Sequence, residues 1–391
     1  MVQAATMVKK TSPANTRLAV GRLDLTHFRN YRSVRLDLPT GKQNIVVLSG
    51  QNGAGKTNLL EAISFLGPGR GLRGAKLSDV TQAGQDQPWA VSGIVTGTGE
   101  DVKIGAGIEF TANSVRRLVI VDGERTSGPA ALAAHISILW LTPRMDRLFM
   151  EGPSDRRRFF DRLVAGFYPE HATQVSGYER AMRERFRLLS DAGSVPDDAW
   201  MGALEKRMAE HAIAIAATRL ETLGLLQAHL AFSRKTSFPL PDLGLQGTTE
   251  DMVASLPALE AEDQFASDMR HNRSIDTARG RTHKGPHKTD LMARHPGKDM
   301  AAEKCSTGEQ KGMLVGILLA AARLQQTLKG KPPVLLLDEL AAHLDETRRH
   351  ALFEEIESIG AQTWVTGTDE KLFQPLKKKA AFFHVADGKI T

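Results

Sequence analysis

Asn44-Ile-Val-Val-Leu48, then Gly50-Gln51-Asn52-Gly53-Ala54-Gly55-Lys56-Thr57, then Asn58-Leu-Leu-Glu-Ala-Ile-Ser-Phe65 read as an apolar run, a glycine-rich loop and a segment of helical apolar spacing. This is strand, phosphate-binding loop, helix. Gly50, Gly53 and Gly55 let backbone N–H groups turn inward around phosphate oxygens, and Gln51, Asn52 and Ala54 complete the cradle. Lys56 reaches the β- and γ-phosphates, Thr57 offers a hydroxyl to Mg2+, and the helix N-terminus adds the positive end of its dipole. A glycine-rich loop by itself is a weak signal; the flanking strand and helix are the context a Walker A loop requires. The stretch predicts an α/β fold built around a site for ATP with Mg2+.

Such a site needs carboxylates at the end of a buried strand, and Val334-Leu-Leu-Leu-Asp338-Glu339 supplies them just after Pro332-Pro333 breaks the preceding helix. Asp338 is expected to hold Mg2+ with Thr57. Glu339 is expected to polarise the attacking water, with Lys56 as the second catalytic group, because phosphoryl transfer rests on positioning and charge stabilisation. Upstream, Cys305-Ser306-Thr307-Gly308-Glu309-Gln310-Lys311 opens a long apolar helix, Gly312 to Leu328. Ser306 and Gly308 at a helix start make a second phosphate-binding surface. Two such surfaces and one nucleotide per chain imply sharing across an ATP-dependent homodimer.

The 391 residues are 41% apolar, which at about 150 residues per domain means two or three compact units. That excludes a disordered chain. Cys305, the single cysteine, cannot form an intramolecular bridge, and no stretch approaches the ~20 apolar residues that cross a bilayer. Residues 1–16 carry two lysines with no apolar segment after them, so a disordered N-terminal tail is expected rather than a secretory signal. A cytoplasmic, membrane-free protein follows. The net charge of +6 is concentrated, since eight Lys/Arg between Arg270 and Lys298 face only Asp276 and Asp290. A charge run is ordinarily a solvated face, but a concentrated basic strip also suits a polyanion.

Walker A, Ser306-Thr307-Gly308-Glu309, Leu335-Leu-Leu-Asp338-Glu339 and Ala341-Ala-His-Leu-Asp345 together resemble the ABC-type ATPase heads of the SMC/Rad50/RecF group. In such heads the signature meets the γ-phosphate bound by the partner subunit, which implies that Ser306 and Asp345 face the dimer. From Lys56 to Asp338 is 282 residues, too long an insertion for a transporter subunit and too short for a long coiled coil. Trp200 to Phe232, with Leu204, Met208, Ile213, Ile215, Leu220, Leu223, Leu226 and Leu230, reads as a compact helical arm whose apolar residues also form a bundle core. Three further strings narrow the resemblance to the RecF family over nearly the whole chain from Leu18: Leu25-Thr-His-Phe-Arg29-Asn30-Tyr31, Leu141-Thr-Pro143 followed by Gly152 to Asp161, and Gly285-Pro-His-Lys-Thr-Asp-Leu291.

There are departures. Lys288-Thr289-Asp290 stands where the family has Arg-Asp-Asp, and Pro143-Arg144-Met145 where it has Pro-Glu-Asp. Gly367, in Val365-Thr366-Gly367-Thr368-Asp369, stands where transporters carry a switch histidine, leaving γ-phosphate sensing to Thr366 or Thr368. A slow, weak, DNA-stimulated ATPase acting as a switch is therefore expected. The architecture expected is an ABC-type (Rad50-like) α/β head with an antiparallel β meander and an inserted arm. Residues 17–150 and 281–391 form the head and 151–280 the arm, with strands near 23–28, 34–38, 45–48, 90–96, 102–110, 115–121, 136–141, 362–366 and 381–385.

The resemblance implies an ATP-dependent DNA-binding protein of DNA replication and recombinational repair. It would bind duplex DNA and single-strand/double-strand junctions at gaps and promote recombinase loading with RecO and RecR. Arg70 and Arg73, within Gly67-Pro-Gly-Arg70-Gly-Leu-Arg73-Gly-Ala-Lys76, resemble the arginine loop that contacts DNA in SMC heads; alternatively they brace the head through acidic neighbours. Two other classes stay open, an SMC-like DNA clamp and a cytosolic ABC-type ATPase acting on a non-DNA partner.

Overall fold

The structure, a computed structural model, describes residues 17–39, 43–82, 87–97, 99–111, 114–190, 197–232 and 237–391. The tail expected over 1–16 lies outside the described residues. Two six-stranded sheets form the head. In the first, β1 (Ala19–Phe28), β2 (Tyr31–Asp37), β4 (Ala90–Thr96), β5 (Val102–Thr111), β6 (Ser114–Val121) and β7 (Glu124–Arg125) pair antiparallel in the order β2-β1-β4-β5-β6-β7. This is the expected meander. The second sheet has the order β15-β14-β3-β13-β12-β8, from β3 (Ile45–Ser49), β8 (Ile138–Leu141), β12 (Val334–Leu337), β13 (Thr363–Gly367), β14 (Ala380–Ala386) and β15 (Lys389–Ile390). All its pairs are parallel except β14 with β15.

The parallel strands are continuous apolar runs because both faces are covered. Ile45, Val47, Leu139, Leu141, Leu335, Leu337 and Val365 point into one core, shared with α8 (Thr307–Lys329) and α9 (Glu346–Ile359). Val46, Leu48, Ile138, Trp140, Val334, Leu336 and Trp364 point into the other, shared with α1 (Lys56–Ser64) and the antiparallel sheet. The alternation sandwiches the sheet. The ends of β3, β12 and β13 meet the start of α1, where Thr57 bonds Asp338 and Thr366 bonds Asp338, and the site is built there.

The insertion carries α2 (Pro153–Phe167), α3 (Glu170–Ser190), α4 (Asp198–Phe232), α5 (Thr248–Ser255), α6 (Ala258–His271) and α7 (Arg273–Arg279); α3, α4 and α6 share a core around Tyr178, Met208, Ala212, Ile215, Phe265 and Met269, while Phe159, Phe160 and Leu163 of α2 and Leu226 of α4 pack into the core around α8. Buried guanidiniums tie the insertion together, since an unpaired buried charge costs several kcal/mol. Arg185, fully buried, bonds Asp276 at 2.6 Å and Glu205 at 3.0 Å, and Arg219 bonds Asp161 at 2.8 Å and Glu250 at 3.0 Å.

Two expectations need correction. The segment 151–280 is not wholly helical: β9 (Asp242–Gln246) leaves it to pair antiparallel with β10 (Asp290–His295), which also pairs with β11 (Met300–Ala301). A three-stranded sheet thus crosses the 280/281 boundary. The helix expected over Gly312–Leu328 starts at Thr307 and ends at Lys329, stopped by Gly330 at φ 68° before the two prolines are reached.

Candidate nucleotide site and signature surface

β3 delivers the chain into the glycine-rich loop, where Gly50, Gly53 and Gly55 take φ values of 145°, 83° and 117°. Two of the three also have no room for a side chain. A Cβ at Gly50 would stand 2.2 Å from the Val385 carbonyl oxygen, and one at Gly55 would stand 2.6 Å from both the Tyr31 hydroxyl and the Asn30 amide. The β1–β2 turn buttresses the loop, with the Tyr31 hydroxyl donating to Gly55 O at 3.0 Å and Asn30 Nδ2 to Ala54 O at 3.1 Å. Sequence reading valued Asn30-Tyr31 only for its resemblance and missed this support. The signal was a polar pair in a hairpin turn whose neighbours are buried.

Lys56 Nζ donates to the carbonyl oxygens of Gly50 at 2.7 Å and Gln51 at 2.8 Å. Burial lowers its pKa, while the charges of Glu339 and Asp338 pull it back up. At the end of β12, Asp338 is buried and accepts from Thr57 Oγ1 at 3.0 Å through both carboxylate oxygens and from Thr366 Oγ1 at 2.8 Å. Burial raises its pKa against the pull of those two hydroxyls. Glu339 follows at φ 52°, a left-handed conformation that costs a non-glycine residue about 1–2 kcal/mol, and its amide donates to Thr366 Oγ1 at 2.8 Å.

Thr366 therefore holds both acidic residues. Of the two threonines proposed as sensors it is the buried one, turned to Asp338, whereas Thr368 is exposed. The residues present fit a Mg2+ nucleotide: a hydroxyl and a buried carboxylate converge as hard oxygen donors, and the adjoining cradle excludes any Cβ at Gly50 and Gly55.

The signature lies on another surface. Ser306 caps α8 reciprocally with Glu309, its amide donating to Glu309 Oε2 at 3.0 Å and its Oγ accepting from the Glu309 amide. Lys298 and these Ser306 bonds hold the Glu309 carboxyl down at about 2. The Ser306-x-x-Glu309 spacing is the sequence signal for this cap. Asp345 caps α9, accepting from the Arg348 amide at 2.8 Å, and Arg348 in turn lies beside Gly308.

Ser306, Gly308 and Asp345 thus share one exposed surface, and among the described residues no hydrogen bond or ion pair joins it to residues 50–57. α8 is fastened to the loop after β8 by Lys311, which bonds Asp146 at 2.9 Å.

The cations next to Walker A divide. Arg73 bonds the fully buried Glu61 at 2.7 Å and Asn58 at 2.7 Å, alongside Arg29, which grips Glu61 at 2.8 and 2.9 Å. Arg73 is a brace. Arg70 is exposed. The Gly285–Leu291 block is also a clamp: Asp290 takes two 2.7 Å bonds from Arg156, and His287 meets the Tyr178 hydroxyl at 2.9 Å. Thr289 donates to the buried Glu250 at 2.7 Å. At position 289 a carboxylate would face Glu250 with like charge, and a hydroxyl does not.

Residues 19–391 match the RecF/RecN/SMC N terminal domain family. The chain is 46% identical over 371 residues to the DNA replication and repair protein RecF of Rhizobium meliloti (strain 1021), covering 95% of this chain and 98% of that protein. It is 47% identical to the protein of the same name from Agrobacterium fabrum, covering 96% and 99%. Among solved structures, the recombination mediator protein RecF with ATP superposes with a TM-score of 0.76 at 21% identity, covering 96% of this chain and 99% of that one. An Smc head domain derived from Pyrococcus furiosus gives a TM-score of 0.52 at 17% identity over 96% of each chain. Both share the ABC-type head fold. No helix among the described residues is long and apolar enough to cross a membrane.

Proposed function

Because the chain belongs to the RecF family, within the RecF/RecN/SMC N terminal domain family, we propose that it is an ATP-dependent DNA-binding protein of DNA replication and recombinational repair, acting as an ATP-bridged homodimer. The amides of Gly50–Thr57 and the Lys56 ammonium bind the phosphates, and Thr57 and Asp338 hold Mg2+. When bound, the cation neutralises charge on the β- and γ-oxygens. Glu339, set by its amide bond to Thr366, orients water for attack. Ser306 and Gly308 reach the partner's nucleotide and Asp345 lies at the dimer contact. Slow turnover makes the dimer a timer, which at gap junctions in the cytoplasm promotes recombinase loading with RecO and RecR.

One observation supports this reading: each chain has its own Gly50–Thr57 loop with Thr57 on Asp338, and among the described residues no hydrogen bond or ion pair joins the exposed signature surface to that loop. The test mixes two inactive variants. Lys56→Met loses nucleotide, and Ser306→Arg keeps monomer ATP affinity but blocks dimerisation. Together they restore one composite site, so turnover and ATP-dependent binding to gapped duplex return in part. Heterodimers that form but restore nothing would overturn the shared site.

A further inference from the structure

Five of the eight cations between Arg270 and Lys298 meet acids: Arg270 and Arg273 meet Asp198, Lys284 meets Asp268, Arg294 meets Asp299 and Lys298 meets Glu309. The other three, Arg279, Arg281 and Lys288, have no acidic partner among the described residues and are exposed, and two of them, Arg281 and Lys288, adjoin the Gly285–Leu291 block. The fold brings them together. His287 Nε2 lies 3.0 Å from Thr282 O, which sets the Pro286–Lys288 turn against the residue after Arg281. Arg157, near the start of α2, donates to Thr289 O at 2.8 Å and so adds a guanidinium beside Lys288.

The nearest acids are committed elsewhere. Asp290 is held by Arg156, Asp161 by Arg219 and His171, and Asp276 by Arg185 and His283. Burial, and then the charges of Arg281 and Arg157, push the Lys288 pKa below that of an ordinary lysine. Burial also keeps His287 neutral, with its pKa down at about 4. The charges of Asp161 and Asp290 reach Arg157, but both carboxylates are bonded to other arginines, and three like charges left short of counter-charge are relieved by an anion.

We propose that Arg157, Arg281 and Lys288, where α2 meets the Gly285–Leu291 block, form a contact site for the phosphate backbone of duplex DNA. The inference rests on the DNA-binding reading above and adds the surface that does it. Arg281 and Lys288 are exposed and Arg157 is half-buried beneath them, an open arrangement that suits an extended polyanion better than one small phosphate. The aromatic side chains of α2, Phe159, Phe160 and Phe167, are buried, so α2 offers no stacking platform for single strands.

The experiment compares the full-length chain with its R281Q/K288Q variant, leaving Arg157 to its carbonyl bond. Anisotropy of a labelled duplex is measured with ATP over a series of salt concentrations. Two lost phosphate contacts, at about 0.9 each, reduce the slope of log K against log salt by about 1.8 while ATP affinity stays the same. A parent that binds duplex and a variant that matches it in affinity and slope remove this site and leave the DNA reading standing. A parent that binds no duplex overturns both. Polyglutamate bound by the parent and lost by the variant, with duplex binding unchanged, assigns the surface to an acidic protein and overturns the proposal. Lys288→Glu gives a second, stronger perturbation and should abolish the contact.

Discussion

Thr366→Val tests whether the Thr366 hydroxyl holds the acidic pair at the end of β12. Thr366 is 1% exposed, and its Oγ1 donates to Asp338 and accepts from the Glu339 amide, each at 2.8 Å. Valine keeps the β-branched shape and removes both bonds. A hydrogen bond to a charged group contributes about 1.5–3 kcal/mol, and stranding an amide costs about 1–3 kcal/mol. Glu339 is half-buried, so water recovers part of the second loss, and the net destabilisation is about 2–4 kcal/mol. For a head of this size that lowers the melting temperature by roughly 5–10 °C.

The chemical effect is separate. The Thr366 hydroxyl is the largest influence opposing burial at Asp338, so its removal raises the carboxyl pKa further and weakens the hold on Mg2+. About 1.4 kcal/mol of lost preference is tenfold, so half-saturating Mg2+ in steady-state turnover should rise about tenfold or more. Thr366→Ser retains the oxygen and should restore most of the Mg2+ dependence. Parent-like Mg2+ titration and turnover in the valine variant would refute the reasoning. A serine variant as impaired as valine would point to packing instead.

Glu339→Gln should leave ATP binding within about twofold of the parent and slow turnover by about a hundredfold or more, so that a dimer accumulates on sizing columns with ATP; normal hydrolysis removes Glu339 from the chemistry. Asp338 also sets a pH dependence. Its folded-state pKa lies above the ordinary 3.8, so its contribution to stability is fully present below 3.8 and is lost as pH rises through the raised value. Mg2+ with ATP offsets that loss, and the gain in melting temperature on adding them should grow with pH across this window. A gain independent of pH counts against a buried, cation-seeking Asp338.

Short-range physics made much of this protein legible in its sequence. Apolar runs flanked by turn residues marked β3, β12 and β13, and the glycine spacing of 50, 53 and 55 announced a cradle whose crowding against Val385 and Tyr31 was then found. The carboxylates at the end of β12 were readable because a buried strand admits them only at its tip. The meander was equally plain, since each of its strands pairs with a neighbour close along the chain or one β3 excursion away.

Only the tertiary structure decided which polar groups meet. Arg156 and Asp290 are 134 residues apart, Ser49 and Glu370 are 321 apart, and Thr57 and Asp338 are 281 apart. No local pattern carries such pairings, because an ion pair or hydrogen bond depends on where two remote segments are set by the packing between them. The same limit left Arg70 and Arg73 alike in sequence until one of them turned out to rest on Glu61. It also hid β9 inside an apparently helical insertion, since its pairing strand lies beyond that insertion's expected end. Composition located an excess of positive charge between Arg270 and Lys298, but the fold determined that five of its eight cations meet acids and that, of the three left facing solvent, Arg281 and Lys288 stand beside Arg157.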